Sequence, residues 1–228
     1  MKNSLFHLLH LTDPTLPIGG YSHSAGLETY VQNGRVKDAS TAKNFISEML
    51  SRNIQFTDAA LVSLAYDAAG RGDLKTLVEL DQECSAVKLP MEMRQASLKL
   101  GMRLLKIFQP MLQNEMGDQY RKLVQEKKAE GHYCIVFGMI ASLLNISKED
   151  ALHGFLYNAA VGFVTNSVKL IPLSQLTGQE ILFSLQPLIE ELTAKAMEPD
   201  KDLIVLCCTG FDILCMQHEQ LYSRLYMS

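Results

Sequence analysis

Apolar positions along the chain recur at i, i+3 and i+4, and the strict alternation of a half-buried strand is absent. Residues 40–54 put Phe45, Ile46, Met49 and Leu50 on one stripe. Residues 57–69 repeat the pattern with Ala60, Leu61, Leu64 and Ala65, then stop at Gly70-Arg71-Gly72. Asp73 suits a helix N-cap ahead of Leu74, Leu77, Val78 and Leu80. Pro90 suits the start of a helix through Met93, Leu100, Leu104 and Phe108 that ends before Pro110. Ser147 with Asp150, and Thr177 with Glu180, fit the S/T-x-x-D/E helix-start signal. The pattern predicts an all-α chain: one domain over residues 1–228, a bundle of about ten helices joined by short loops.

Charge refines that picture. Across residues 131–190 the charged positions are Lys148, Glu149, Asp150, Lys169, Glu180 and Glu190. Between them Leu152, Phe155, Leu156, Ala159, Ala160 and Phe163 form one stripe, while Val161, Val164 and Val168 cover another face. A helix apolar on most sides needs other helices or a partner around it, which predicts a central apolar helix. His153, Asn158, Thr165, Asn166 and Ser167 inside residues 151–168 argue against a membrane span. Residues 115–130 carry the densest polar run and fit a solvated helix face.

Composition narrows function. With 21 Lys+Arg against 25 Asp+Glu the formal net charge is −4, which gives no general attraction for a phosphate backbone. Neither nucleic acid nor membrane is expected as a partner. Five cysteines, with no CxxC pair, suit a reducing compartment such as the cytoplasm. No GxxxxGK[ST], GxGxxG, HExxH or GxSxG motif is present. Ser22, His23 and Glu28 could be assembled into a hydrolase site only if the fold overcame the opposed directions of sequence neighbours. Asp212, Cys215 and His218 fall one helical turn apart, with Cys208 seven residues before Cys215, so a metal-carrier reading through Cys208, Cys215 and His218 stays open. His7 and His10 share the same spacing near the N-terminus.

Two segments resist a pure packing explanation. Residues 11–28 hold Pro14, Pro17, Gly19 and Gly20 ahead of a helix that could be capped near Ser22 or Ser24. The terminus, residues 218–228, packs His218, Glu219, Tyr222, Arg224, Leu225 and Tyr226 together, which suits either a docking tail or a tail folded back on its own bundle.

These segments resemble the urease accessory protein F (UreF) family. The resemblance rests on Leu16-Pro17-Ile18-Gly19-Gly20-Tyr21-Ser22-His23-Ser24 with Gly26-Leu27-Glu28, and on Glu92-Met93-Arg94-Gln95-Ala96-Ser97. It extends through Ile171-Pro172-Leu173-Ser174-Gln175 with Gly178-Gln179, and through His218-Glu219 with Tyr222-Ser223-Arg224-Leu225. Ser174 and Tyr226 depart from the family pattern in a minor way, and the Cys207-Cys208 pair is no part of it. The resemblance implies a homodimeric, all-α, cytoplasmic nickel-insertion chaperone with no catalysis and no cofactor of its own. With UreD (UreH in some organisms) it would recruit the GTPase UreG to urease apoprotein for GTP-dependent nickel delivery. Carried over position by position, it assigns His218, Glu219, Tyr222, Arg224 and Leu225 to a docking tail over 218–228 that meets UreD, and Tyr21, His23 and Glu28 to a surface toward UreG or a polar lining near it.

Overall fold

The computed structural model describes residues 2–204, 208–221 and 224–227. Among them no strand occurs, and the helices are α1 (Lys2–Leu11), α2 (Leu27–Gln32), α3 (Ala39–Glu48), α4 (Ala60–Gly70), α5 (Leu74–Val87), α6 (Met91–Leu112), α7 (Glu115–Gln125), α8 (Tyr133–Leu143), α9 (Lys148–Leu170), α10 (Gln175–Ser184), α11 (Gln186–Ala196) and α12 (Thr209–His218). The fold is all-α, as the periodicity predicts. One difference is the join between α3 and α4. The intervening Met49–Ala59 is π-helical, so the two stripes expected as separate helices run on as one rod. No Gly or Pro stands between Ala39 and Gly70 to break it.

Side-chain caps set most helix starts. Asp38 and Thr41 form a reciprocal capping box at α3. Asp73 accepts from the Thr76 N–H, Asn114 from Met116 and Gly117, and Ser147 from Asp150. Three boundaries correct the sequence reading. Ser174 caps α10, one turn before the expected Thr177 start, and Thr177 supplies the bonded N–H. Pro110 lies inside α6, which continues to Leu112 and ends where Gln113 turns left-handed at φ 44°. Proline there forfeits one hydrogen bond in a last turn, where bonding is already incomplete. Helix α2 begins at Leu27 behind Gly26, not at a Ser22 or Ser24 cap.

The most fully enclosed helix is α8, where every residue from Cys134 to Ala141 is buried. Its closest neighbour is α4, whose buried residues are Ala60, Leu61, Val62, Ser63, Ala65, Ala68 and Ala69. Gly138 permits the approach, because a Cβ there would stand 2.4 Å from the Val62 carbonyl oxygen. Helix α9 packs beside them with Leu152, Phe155, Leu156, Ala160 and Phe163 of the expected stripe buried and Ala159 half-buried; Val164 of the second face is buried too, and Tyr157 is exposed. Edge contacts tie the layers: Phe137 meets Phe155 at 5.1 Å and Phe45 meets Phe163 at 5.9 Å between ring centroids. Tyr120 of α7 is fully buried beneath that helix's otherwise solvated face. No helix of the described residues is long and apolar enough to cross a membrane.

Candidate functional site: a buried carboxylate–histidine cluster that seats the C-terminal tail

The proline- and glycine-rich loop after α1 narrows to a short 3-10 turn, Gly20–Ser22, and then enters α2. Gly26 makes that entry possible in two ways. Its φ of 83° lies in the left-handed region, and a Cβ would sit 2.7 Å from Cys215 Sγ and 2.8 Å from the Phe211 ring. Helices α2 and α12 therefore touch through the glycine, which brings Glu28 to His218 although 190 residues separate them.

Glu28 and His218 are almost wholly buried, at 2% and 1% exposure, so their polar atoms need partners inside the protein. His218 Nε2 lies 3.0 Å from Glu28 Oε2, and His218 Nδ1 lies 2.7 Å from Glu92 Oε2. An ionised carboxylate only accepts, so each ring nitrogen faces an acceptor oxygen. Glu28 also accepts from the backbone N–H groups of Leu225 at 2.8 Å and Tyr226 at 3.1 Å. Burial works to raise the Glu28 pKa. The hydrogen bonds from Leu225, His218 and Tyr226 outweigh it, and the carboxyl ends below its ordinary value of 4.5. Glu92 extends the cluster: its second oxygen accepts from Arg224, and its backbone N–H reaches Glu219 Oε1 at 3.4 Å. The Met227 N–H donates to the Ser22 carbonyl at 2.9 Å, closing the tail onto the 3-10 turn.

The sequence-expected residues thus divide. Glu28, His218, Glu219, Arg224 and the Leu225 backbone are brought together in one cluster, while the Leu225 side chain is 79% exposed. His23 stands apart. It lines a cavity of about 310 Å³ between the N-terminal loop, α6 and α9, and burial, with Lys99 and Arg103 nearby, lowers its pKa. Tyr222, Cys207 and the side chain of Tyr21 lie outside the described residues. Glu92 stands outside the residues that the sequence marks as a site. Its place in one of the family blocks was the available signal, but only the packing of α6 against α12 reveals its partners.

The alternative chemistries do not assemble. Ser22 Oγ donates to the Gly19 carbonyl, and Glu28 is engaged with the tail, so Ser22, His23 and Glu28 are not aligned as nucleophile, base and orienting acid. Cys208 Sγ contacts the Arg52 carbonyl, and Cys215 packs on Gly26 with its thiol pKa raised by burial. The two carboxylates occupy opposite nitrogens of His218 and cannot converge on one ion. Among the described residues no group of three His, Cys, Asp or Glu could hold a metal. His7 bonds the Leu144 carbonyl and the His10 ring packs on Phe108, so neither belongs to a metal pair.

A family model described as UreF matches residues 36–186, more than half of the chain. The chain belongs to the UreF family. UreF proteins similar to it span essentially its whole length. A "Urease accessory protein UreF" from Actinobacillus pleuropneumoniae serotype 5b (strain L20) is 47% identical over 221 residues, covering 97% of each chain. One of the same description from Haemophilus influenzae (strain PittGG) is 46% identical over 97% of this chain and 94% of that protein. A third, from Bacillus sp. (strain TB-90), is 35% identical over 99% of this chain and all of the relative. The residues matched by the UreF model leave out Glu28 and His218, but the Bacillus sp. relative aligns over 226 residues, 99% of this chain, which takes in both.

Proposed function

We propose that this chain is a non-catalytic adaptor of urease maturation. In that role it acts as a cytoplasmic homodimer that joins UreD (UreH in some organisms) and recruits the GTPase UreG to urease apoprotein for nickel delivery. Nickel is cargo in this reading, and this chain supplies binding surfaces. The observation that carries the proposal is the seated tail. Glu28 and Glu92 hold residues 224–227 against α2 and α6 and leave Leu225 and Met227 exposed at 79% and 55%. On α12, Ile213 and Met216, three residues apart, are exposed as well. Apolar side chains held in solvent by backbone hydrogen bonds to Glu28 and the Arg224–Glu92 ion pair suit an interface, since much of the ordering cost of docking is met before the partner arrives. The relatives' description as urease accessory proteins supports the urease context.

The mechanism follows from that division of labour. Buried groups set the tail's position, exposed side chains meet the partner, and GTP chemistry belongs to the recruited GTPase. Leu225→Asp separates the two roles, because the Leu225 backbone keeps its bond to Glu28 while the exposed side chain changes. The variant is expected to melt within about 0.5 kcal/mol of the parent, as exposed substitutions do, and to lose co-purification with UreD and urease activation in cells. Normal capture of UreD by Leu225→Asp, together with normal capture by Tyr222→Ala, would overturn the docking-tail proposal.

A further inference from the structure

Beneath the cavity, away from the tail cluster, lies a second buried polar group. The Sγ atoms of Cys84 on α5 and Cys134 on α8 are 3.6 Å apart, and both residues are fully buried. His132 is also fully buried; its Nε2 lies 2.8 Å from Ser85 Oγ and its Nδ1 3.0 Å from Ser97 Oγ. Asp81 fixes this corner by accepting from the backbone N–H groups of Glu130, Gly131 and His132. Lys88, one helical turn after Cys84, ion-pairs with Asp58 at 2.8 Å. Lys88, Asp58, Ser97 and Tyr133 line the cavity of about 310 Å³, so its wall includes a bonding partner of His132 and the chain neighbour of Cys134.

We propose that Cys84 and Cys134 form a peroxide-responsive dithiol that closes to an intramolecular disulfide joining α5 to α8. Three observations carry this: the sulfur contact, the rigid corner that holds it, and the adjoining cavity. Charge distribution assigns the order of attack. Burial opposes ionisation of Cys84, but the contact with Cys134 and the positive charge of Lys88 lower its pKa overall. Burial and the neighbouring Cys84 raise that of Cys134. The Cys84 thiolate therefore attacks one oxygen of hydrogen peroxide, the O–O bond breaks, and protonation gives sulfenic acid and water. Cys134 sulfur then attacks Cys84 sulfur, loses its proton and expels a second water. Two thiols and one peroxide give one disulfide and two waters, with the peroxide reduced by two electrons. A thiol reductant reverses the closure by exchange.

The test uses the full chain in its native state. It is treated with hydrogen peroxide, denatured in N-ethylmaleimide and mapped by peptide mass spectrometry, with circular dichroism checking that the helices persist through the treatment. Expected is a Cys84–Cys134 linked peptide pair, two hydrogens lighter than the reduced sum and released by dithiothreitol. The oxidised protein is expected to melt several degrees higher, because the bond closes a loop across a sequence separation of 50. In Cys134→Ala, Cys84 is expected to accumulate as sulfenic acid and to take a dimedone label. If that variant fails to fold, the parent map decides alone. Full alkylation of both thiols after peroxide, or linkage of Cys84 to Cys207, Cys208 or Cys215 instead, would overturn the proposal.

Discussion

Glu28 joins the two ends of the chain. One carboxylate meets the His218 ring and two backbone N–H groups of the tail, so its removal leaves three polar groups without their partner in a buried setting. Glu28→Ala is expected to cost about 3 kcal/mol, since each buried polar group left without its partner costs about 1–3 kcal/mol. Hydrogen exchange at the Leu225 and Tyr226 amides should accelerate in the variant while the α8 amides keep their protection. The same group sets a pH dependence. Folding lowers the Glu28 pKa from its ordinary 4.5, so its contribution is complete above that value and is lost as pH falls through the lower folded-state value. Protection of the two tail amides, followed by exchange at constant temperature and corrected for intrinsic rates, should therefore fall as the protein is acidified below about pH 4.5.

At the scale of elements, close backbone packing governs stability. Helix α8 lies against α4 where Gly138 faces the Val62 carbonyl, and neither main chain can retreat without opening the core. Gly138→Ala is expected to destabilise by about 3 kcal/mol despite the better helix propensity of alanine, read as a lowered denaturation midpoint at unchanged slope. Much of this layer was legible in the sequence. Asp73, Ser147 and Pro90 mark helix starts by local hydrogen bonding or backbone restriction, and the α9 stripe shows its buried face. The misses share a cause. Gly26 starts α2 through a left-handed turn and a tertiary contact, and Pro110 survives in a final turn, so a local propensity rule points the wrong way at both. The π-helical join between α3 and α4 could have been suspected from the absence of a breaker, although its altered bonding could not. Glu92 and the Cys84–Cys134 contact arise only when distant helices pack, and spacing along the chain carries no trace of them.

For the whole molecule, the arrangement separates positioning from contact. A core built on α4, α8 and α9 supports the N-terminal loop and α12, and the buried ionic cluster places the tail on that support. Side chains that the cluster does not use, such as Leu225, Met227, Ile213 and Met216, remain exposed. In the proposed function this surface serves assembly. Size-exclusion chromatography with light scattering, on the protein alone and mixed with UreD and UreG, tests it most directly. A homodimer that enters a stable complex with both partners is the expected result. A monomer that elutes unchanged in their presence would contradict the account.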